Sequence, residues 1–139
     1  MSAMKPPPFT AHQATRTLPL VSRIVRDIVR LYAKWRERVA ELELAAATSR
    51  ADDPDPRLAV LERDTQDLAG EIEGCIREIQ ALGAEYRTPL DAGLVDFPAE
   101  MDGRPVYLCW RLGEPAVDHW HEIDAGFAGR QPLAVQPIA

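Results

Sequence analysis

Two matched apolar seams constrain this chain more than any other feature. Val21, Val25, Ile28, Tyr32, Trp35, Val39, Leu42 and Ala46 follow one another at alternating steps of four and three residues. Leu58, Leu61, Thr65, Leu68, Ile72, Cys75, Ile79 and Leu82 repeat the rhythm. Such spacing keeps one stripe of a helix turned toward another helix, as in a coiled coil. Between the seams, Ser49-Arg-Ala-Asp-Asp-Pro-Asp-Pro56 is polar and proline-broken, which predicts a loop over 49–56. Asp55-Pro56 is a helix start, and Gly83 a left-handed stop. Two helices of similar length joined by a short loop predict an antiparallel helical hairpin over residues 9–83. At ~1.5 Å per residue the first long helix extends on the order of 45 Å.

Upstream, Lys5-Pro-Pro-Pro8 predicts an extended leader. Phe9-Thr10 reads as a staple and N-cap for a short helix from Ala11 to about Arg16, and Thr17-Leu18-Pro19 restarts the helix with proline in its first turn. Leu20, Ile24 and Leu31 widen the first seam, so its N-terminal half should touch more than one element. Gly70 and Gly74, four apart, mark a place where another element could approach closely.

Charge is divided along the chain. The net charge is −6, yet residues 1–40 hold eight Lys/Arg against Asp27 and Glu37. A basic first helix lying on the acidic second one, with Glu62, Asp64, Asp67, Glu71, Glu73 and Glu78, balances this within the molecule. The acidic total and the lack of a reading motif disfavour nucleic acid. Cys75 and Cys109 have no metal-type pairing, and no apolar run could span a bilayer or serve as a secretory leader, so a soluble, cytoplasmic protein is expected. One helix seam leaves the hairpin's flanks half covered, which predicts a homodimer through the helices.

After Gly83 the period becomes alternating. Strands are predicted at about 94–98, 105–112 and 117–122, with Asp102-Gly103 as a hairpin turn and Gly113-Glu-Pro-Ala116 as a second turn. Pairing Leu112 with Val117 across that second turn puts Arg111 opposite Asp118, Trp110 opposite His119 and Leu108 opposite His121. One face is then Val95, Phe97, Val106, Leu108, Trp110, Leu112, Val117, His119 and His121, expected to pack on the helices. The other carries Asp96, Tyr107, Cys109, Arg111, Asp118, Trp120 and Glu122. The predicted fold is α+β: a long antiparallel, coiled-coil-like helical hairpin with a small C-terminal antiparallel β-meander, residues 84–139, in a single domain over 1–139.

Gly93-Leu-Val-Asp-Phe-Pro98, Val106-Tyr-Leu-Cys-Trp-Arg-Leu-Gly-Glu114, Trp120-His121 and Gly126-Phe-Ala-Gly-Arg-Gln-Pro-Leu133 together resemble a prokaryotic family catalogued as domain of unknown function 2203. The likeness extends to Phe9-Thr10, Leu18-Pro-Leu-Val21 and Ala81-Leu-Gly83 and implies no activity. His121 fits the family's Trp-His motif. At His119 the family is often aromatic, which weighs against a site that depends on His119.

Four residues are candidate metal ligands: His121, His119, Asp124 and Glu114. The two histidines, two apart on a strand, would project from one face about 7 Å apart, with the carboxylates close in sequence. The plain alternative is two core or rim histidines with one hydrogen bond each, and no His-Glu-x-x-His or paired Cys-x-x-Cys motif is present. Placing Cys109 on the opposite face from both histidines disfavours a Cys–His dyad. Arg130, ending the glycine-punctuated loop after Asp124, and Arg111 are candidate anion-binding residues; an Arg–carboxylate pair that ties down a turn is the plain reading. Asp96, Tyr107 and Glu122 form a candidate polar-face network. The leading expectation is a small binding protein holding a divalent metal or small anionic ligand in its C-terminal module. Metal-assisted chemistry is the class to test first if it is an enzyme. The alternative is a non-catalytic helical interaction or scaffold protein.

Overall fold

The computed structural model describes residues 7–134; the start of the expected leader and the last five residues lie outside them. The fold is α+β as expected. Helices α1 (Ala11–Arg16), α2 (Leu18–Thr48) and α3 (Arg57–Ala81) precede strands β1 (Glu85–Tyr86), β2 (Leu94–Met101), β3 (Arg104–Arg111), β4 (His119–Glu122) and β5 (Gln131–Pro132). The strands form one antiparallel sheet in sequential order. Among the described residues no helix is long and apolar enough to cross a membrane.

Local chemistry explains the element ends. Thr10 Oγ1 accepts from Gln13 N while Gln13 Oε1 accepts from Thr10 N, a reciprocal cap on α1. Pro19 sits in the first turn of α2, and Gly83 takes a φ of +93° just past α3. Between β2 and β3, Asp102 and Gly103 both adopt positive φ, the requirement of a tight two-residue hairpin. Gly93 is needed for another reason. A Cβ there would lie 2.7 Å from Leu112 Cβ, at a φ of +67°, and its carbonyl accepts from Leu112 N at 2.8 Å.

One buried layer joins helices to sheet. Val21, Ile24, Val25 and Ile28 of α2 share a core cluster with Val95, Phe97, Val106, Leu108 and Trp110. This second contact is what Ile24 and Leu31 announced in the sequence, whereas Leu20, read with them, faces solvent. Burying each large apolar side chain contributes about 2 kcal/mol, so the layer fixes the sheet against the N-terminal half of α2. Phe9 extends it, with its ring edge-on to Phe97 at 5.2 Å and its N–H on the Pro98 carbonyl. Farther out, α2 and α3 have only their own seam, which at the tip buries Ala45 in place of Ala46. Arg38 reaches Asp64 across the helices at 3.7 Å, so basic helix meets acidic helix as expected. Gly70 and Gly74 admit no neighbouring element; nothing lies within 4 Å of a Cβ at Gly70, and at Gly74 only Arg77 does.

The sheet departs from expectation in three ways. It has five strands, because the two-residue β1 and β5 are too short to leave an alternation. The 105–112 strand begins at Arg104 and ends at Arg111, and β4 starts at His119. Above all, the β3–β4 register is one residue off the predicted one: Cys109 pairs with His119, Leu108 with Trp120 and Tyr107 with His121. The segment 112–118 is no tight turn. Leu112 N is taken by Gly93 O, and Val117, still buried, donates its N–H to Thr15 Oγ1 of α1 at 3.1 Å. With both predicted turn partners engaged elsewhere, the connection from β3 to β4 is one residue shorter in register than predicted. A one-residue slip exchanges the two faces: Trp120 turns toward the helices, while His119 and His121 join Asp96, Tyr107 and Cys109. The expected Arg111–Asp118 pair does not form.

Candidate functional site

The face turned away from the helices carries a short line of polar side chains drawn from three strands. Asp96 (β2), Cys109 (β3) and His121 (β4) are each at most 3% exposed. One potential ligand atom from each lies within 4.8 Å of the other two. His121 Nε2 is 3.0 Å from Asp96 Oδ1, and His121 Nδ1 is 2.7 Å from the Glu122 carbonyl. The other Asp96 oxygen accepts from Arg87 Nε at 2.7 Å. Arg87 also pairs with Glu85 at 2.6 Å and lies over the Tyr107 ring at 4.8 Å. The Tyr107 ring in turn packs beside His121.

The proton count at this site is informative. A carbonyl cannot donate, so Nδ1 of His121 must be the protonated nitrogen facing Glu122. In a neutral ring Nε2 is then a bare lone pair aimed at a carboxylate oxygen. Two acceptors 3.0 Å apart need a proton or a metal ion between them. An Nδ1–H held by a backbone carbonyl is also how proteins orient a histidine for coordination through Nε2.

Cys109 is not an activated thiol. Burial, reinforced by the Asp96 charge, pushes it up to about 11 despite the neighbouring Arg130. A thiol so placed is a poor nucleophile at neutral pH. The expectation that Cys109 lies opposite both histidines is nonetheless wrong, since the register slip brings it beside His121.

A cavity of about 300 Å³ opens onto these groups, walled by Arg87, Leu94, Ile123 and Phe127, with Asp124 on its lining. Asp124 therefore sits at the mouth, outside the close cluster. The remaining candidates gather next door. Glu114 takes Arg130 in a two-pronged ion pair and the Arg111 N–H at 2.7 Å. Burial opposes its charge, but these contacts hold its carboxyl below the usual range. Arg130 is thus the tied-down turn of the plain reading, its guanidinium also 4.6 Å from the Phe127 ring. Arg111 is exposed, its guanidinium 5.8 Å from the Phe127 ring. His119 approaches Glu114, Asp118 and Arg130. Its Nδ1, 2.7 Å from Asp118 Oδ1, is off the hydrogen-bonding direction and makes no hydrogen bond.

The predicted metal set is therefore divided, with His121 in one cluster and His119 with Glu114 in the other. Of the predicted polar-face network, Asp96 and Tyr107 belong together, while Glu122 is drawn off to Arg104 at 2.6 Å. Arg87 went unrecognised, since its role depends on a two-residue strand. Cys109 was discounted through the wrong register. One signal for the right register was present in His119-Trp120-His121: the tryptophan is the residue an apolar layer would take.

A family model described as Uncharacterized conserved protein (DUF2203) matches residues 8–133, in agreement with the resemblance carried by the C-terminal signature. No curated protein matches, and no solved structure does.

Proposed function

The chain belongs to that uncharacterized conserved family, and we propose that it is a metal-binding protein in which Asp96, Cys109 and His121 hold a divalent transition-metal ion. The observation that carries this reading is the pair of acceptors, His121 Nε2 and Asp96 Oδ1, facing each other at 3.0 Å in a buried site. Ligand atoms around a tetrahedral zinc ion are spaced about 3.3–3.6 Å, so little movement is needed to admit one. A thiolate, an imidazole and a carboxylate favour zinc or a similar borderline ion over magnesium or calcium. Three protein donors beside a cavity leave a fourth position for water, a small molecule or Asp124.

An anion held by the arginines alone has less support. Arg130 is bound to Glu114, and Arg87 to Asp96 and Glu85. The test is elemental analysis of untagged protein, together with Co²⁺ titration. Metal near one equivalent and a thiolate-to-cobalt band lost in Cys109→Ser are expected. A folded protein with neither metal nor band would sink the proposal and leave a proton as what joins His121 to Asp96.

A second role, association through the helices, is favoured by a different observation. The distal half of the hairpin extends past the sheet with only the α2–α3 seam to bury, and Leu44 and Val60 near its tip are exposed.

A further inference from the structure

Among the described residues, Asp96, Cys109 and His121 supply three close donors and no fourth, and the cavity of about 300 Å³ opens onto them. Structural zinc sites close the shell with four protein ligands, whereas three ligands and an open position belong to sites that activate water. Asp124 lines that cavity but stands outside the close cluster, and it enters no salt bridge among the described residues. A carboxylate too far away to ligate, yet bordering the same space, can act on what the ion binds.

Each anionic donor also has a guanidinium against it. Arg87 Nε holds Asp96 at 2.7 Å, and the Arg130 guanidinium lies beside the Cys109 sulfur, where it favours the charged form. Two anionic ligands weaken an ion's pull on bound water; hydrogen bonds to those ligands draw charge back and restore it. The cavity offers a substrate no spare cation, since Arg87 is bound to Asp96 and Glu85 and Arg130 to Glu114. Leu94, Ile123 and Phe127 give it an apolar wall, with Ile123 about half exposed. That lining suits an uncharged molecule with an apolar body.

Resting on the metal-binding reading, we propose that this is a hydrolytic site for a small uncharged ester or amide, with water in the fourth position and Asp124 as its general base. Asp124 takes a proton from the bound water, and the water oxygen forms a bond to the carbonyl carbon. The C=O π pair moves onto the carbonyl oxygen, where the ion takes up the charge. As that pair returns, the bond to the alcohol oxygen or amine nitrogen breaks, and the leaving group takes the proton from Asp124. One water is consumed, an acid and an alcohol or amine are released, and nothing is oxidised or reduced. A phosphodiester fits less well. Two-metal sites hold their ions about 3.5–4 Å apart, and in the neighbouring Glu114, Asp118 and His119 group Glu114 is already bound to Arg130.

The experiment is turnover of para-nitrophenyl acetate by untagged full-length protein, zinc-loaded and zinc-stripped, with bound zinc measured in each sample. Zinc-dependent release of many equivalents of nitrophenol is expected, which separates hydrolysis from a single acylation of Cys109. Asp124→Asn should keep its zinc and lose roughly 100-fold or more in kcat. Protein that binds zinc and turns over no faster than the stripped form overturns this inference and leaves the metal reading standing. An Asp124→Asn variant with full activity removes Asp124 as the base; one that loses zinc makes it the fourth ligand and closes the site. Protein that takes up no zinc removes the metal reading and the hydrolytic one together.

Discussion

His121 on β4 and Asp96 on β2 meet at 3.0 Å across the full width of the intervening strand, with Cys109 of that strand beside them. Side chains from three adjacent strands converge only when every register is right. The arrangement then offers nitrogen, oxygen and sulfur to one point, with the cavity on its open side.

Arg87 holds Asp96 from behind without entering the cluster, through Nε to Oδ2 at 2.7 Å. Replacement by methionine keeps most of the apolar stem over Tyr107 and removes that bond. Zinc affinity, measured by competition with a chromophoric chelator, should fall roughly 10- to 100-fold, as for other groups that orient a metal ligand. Unchanged affinity would mean that Arg87 serves only the fold.

Metal uptake should release protons. Cys109 is held as the thiol, up to about 11, and coordination requires the thiolate. Below that value, affinity should rise by about tenfold per pH unit on account of this group. Calorimetry in buffers of different ionisation heats should count at least one proton released per ion near pH 8, the thiol's own, besides any proton displaced from between His121 and Asp96. Uptake without proton release would exclude the thiolate as a ligand.

The Arg130–Glu114 pair ties the loop after β4 to the turn after β3, and it should loosen in acid. The carboxyl of Glu114 is held below its ordinary 4.5 by Arg130 and the Arg111 N–H, which outweigh burial. A lowered folded value means stabilisation that is present above 4.5 and lost as pH falls through that lowered value. The protection of the Leu133 amide from hydrogen exchange, bonded as it is to Asp118 O at 2.8 Å, should fall over that window once the intrinsic rate is divided out. Glu114→Gln should show the lowered protection already at pH 7, at a cost of about 1–3 kcal/mol; a pH-independent protection factor in the wild type would count against the ion pair as the anchor.

Gly93→Ala tests the close approach of β2 to Leu112. The left-handed φ and the 2.7 Å Cβ contact together predict a loss of about 2–4 kcal/mol in chemical denaturation. A loss under half of that would show that the backbone relaxes there.

The sequence announced the helices with little ambiguity. Periodic seams of eight positions, a proline-broken loop and a glycine stop act locally, and α2, α3 and Gly83 fall where those signals put them. The Asp102-Gly103 hairpin is equally local, and so the β2–β3 faces were legible. The site was not, because it depends on the parity of β4, and that parity is set by Val117 binding Thr15, 102 residues away. No pattern within the segment 112–118 encodes that hydrogen bond. Arg87 lay beyond reach for a related reason: a two-residue strand has no period to read.

That bond between the first helix and the segment before β4 bears on how portable the site is. All three proposed ligands lie after Ala84, and a fragment from Ala84 onward would contain every donor atom. It would lack Thr15 to fix the step of β4, α2 to receive Trp110, and Phe9 to close over Phe97. Grafted elsewhere, such a fragment should bind no metal, since its histidines are free to turn to the wrong side. The inheritable unit is the whole stretch from Phe9 to Leu133.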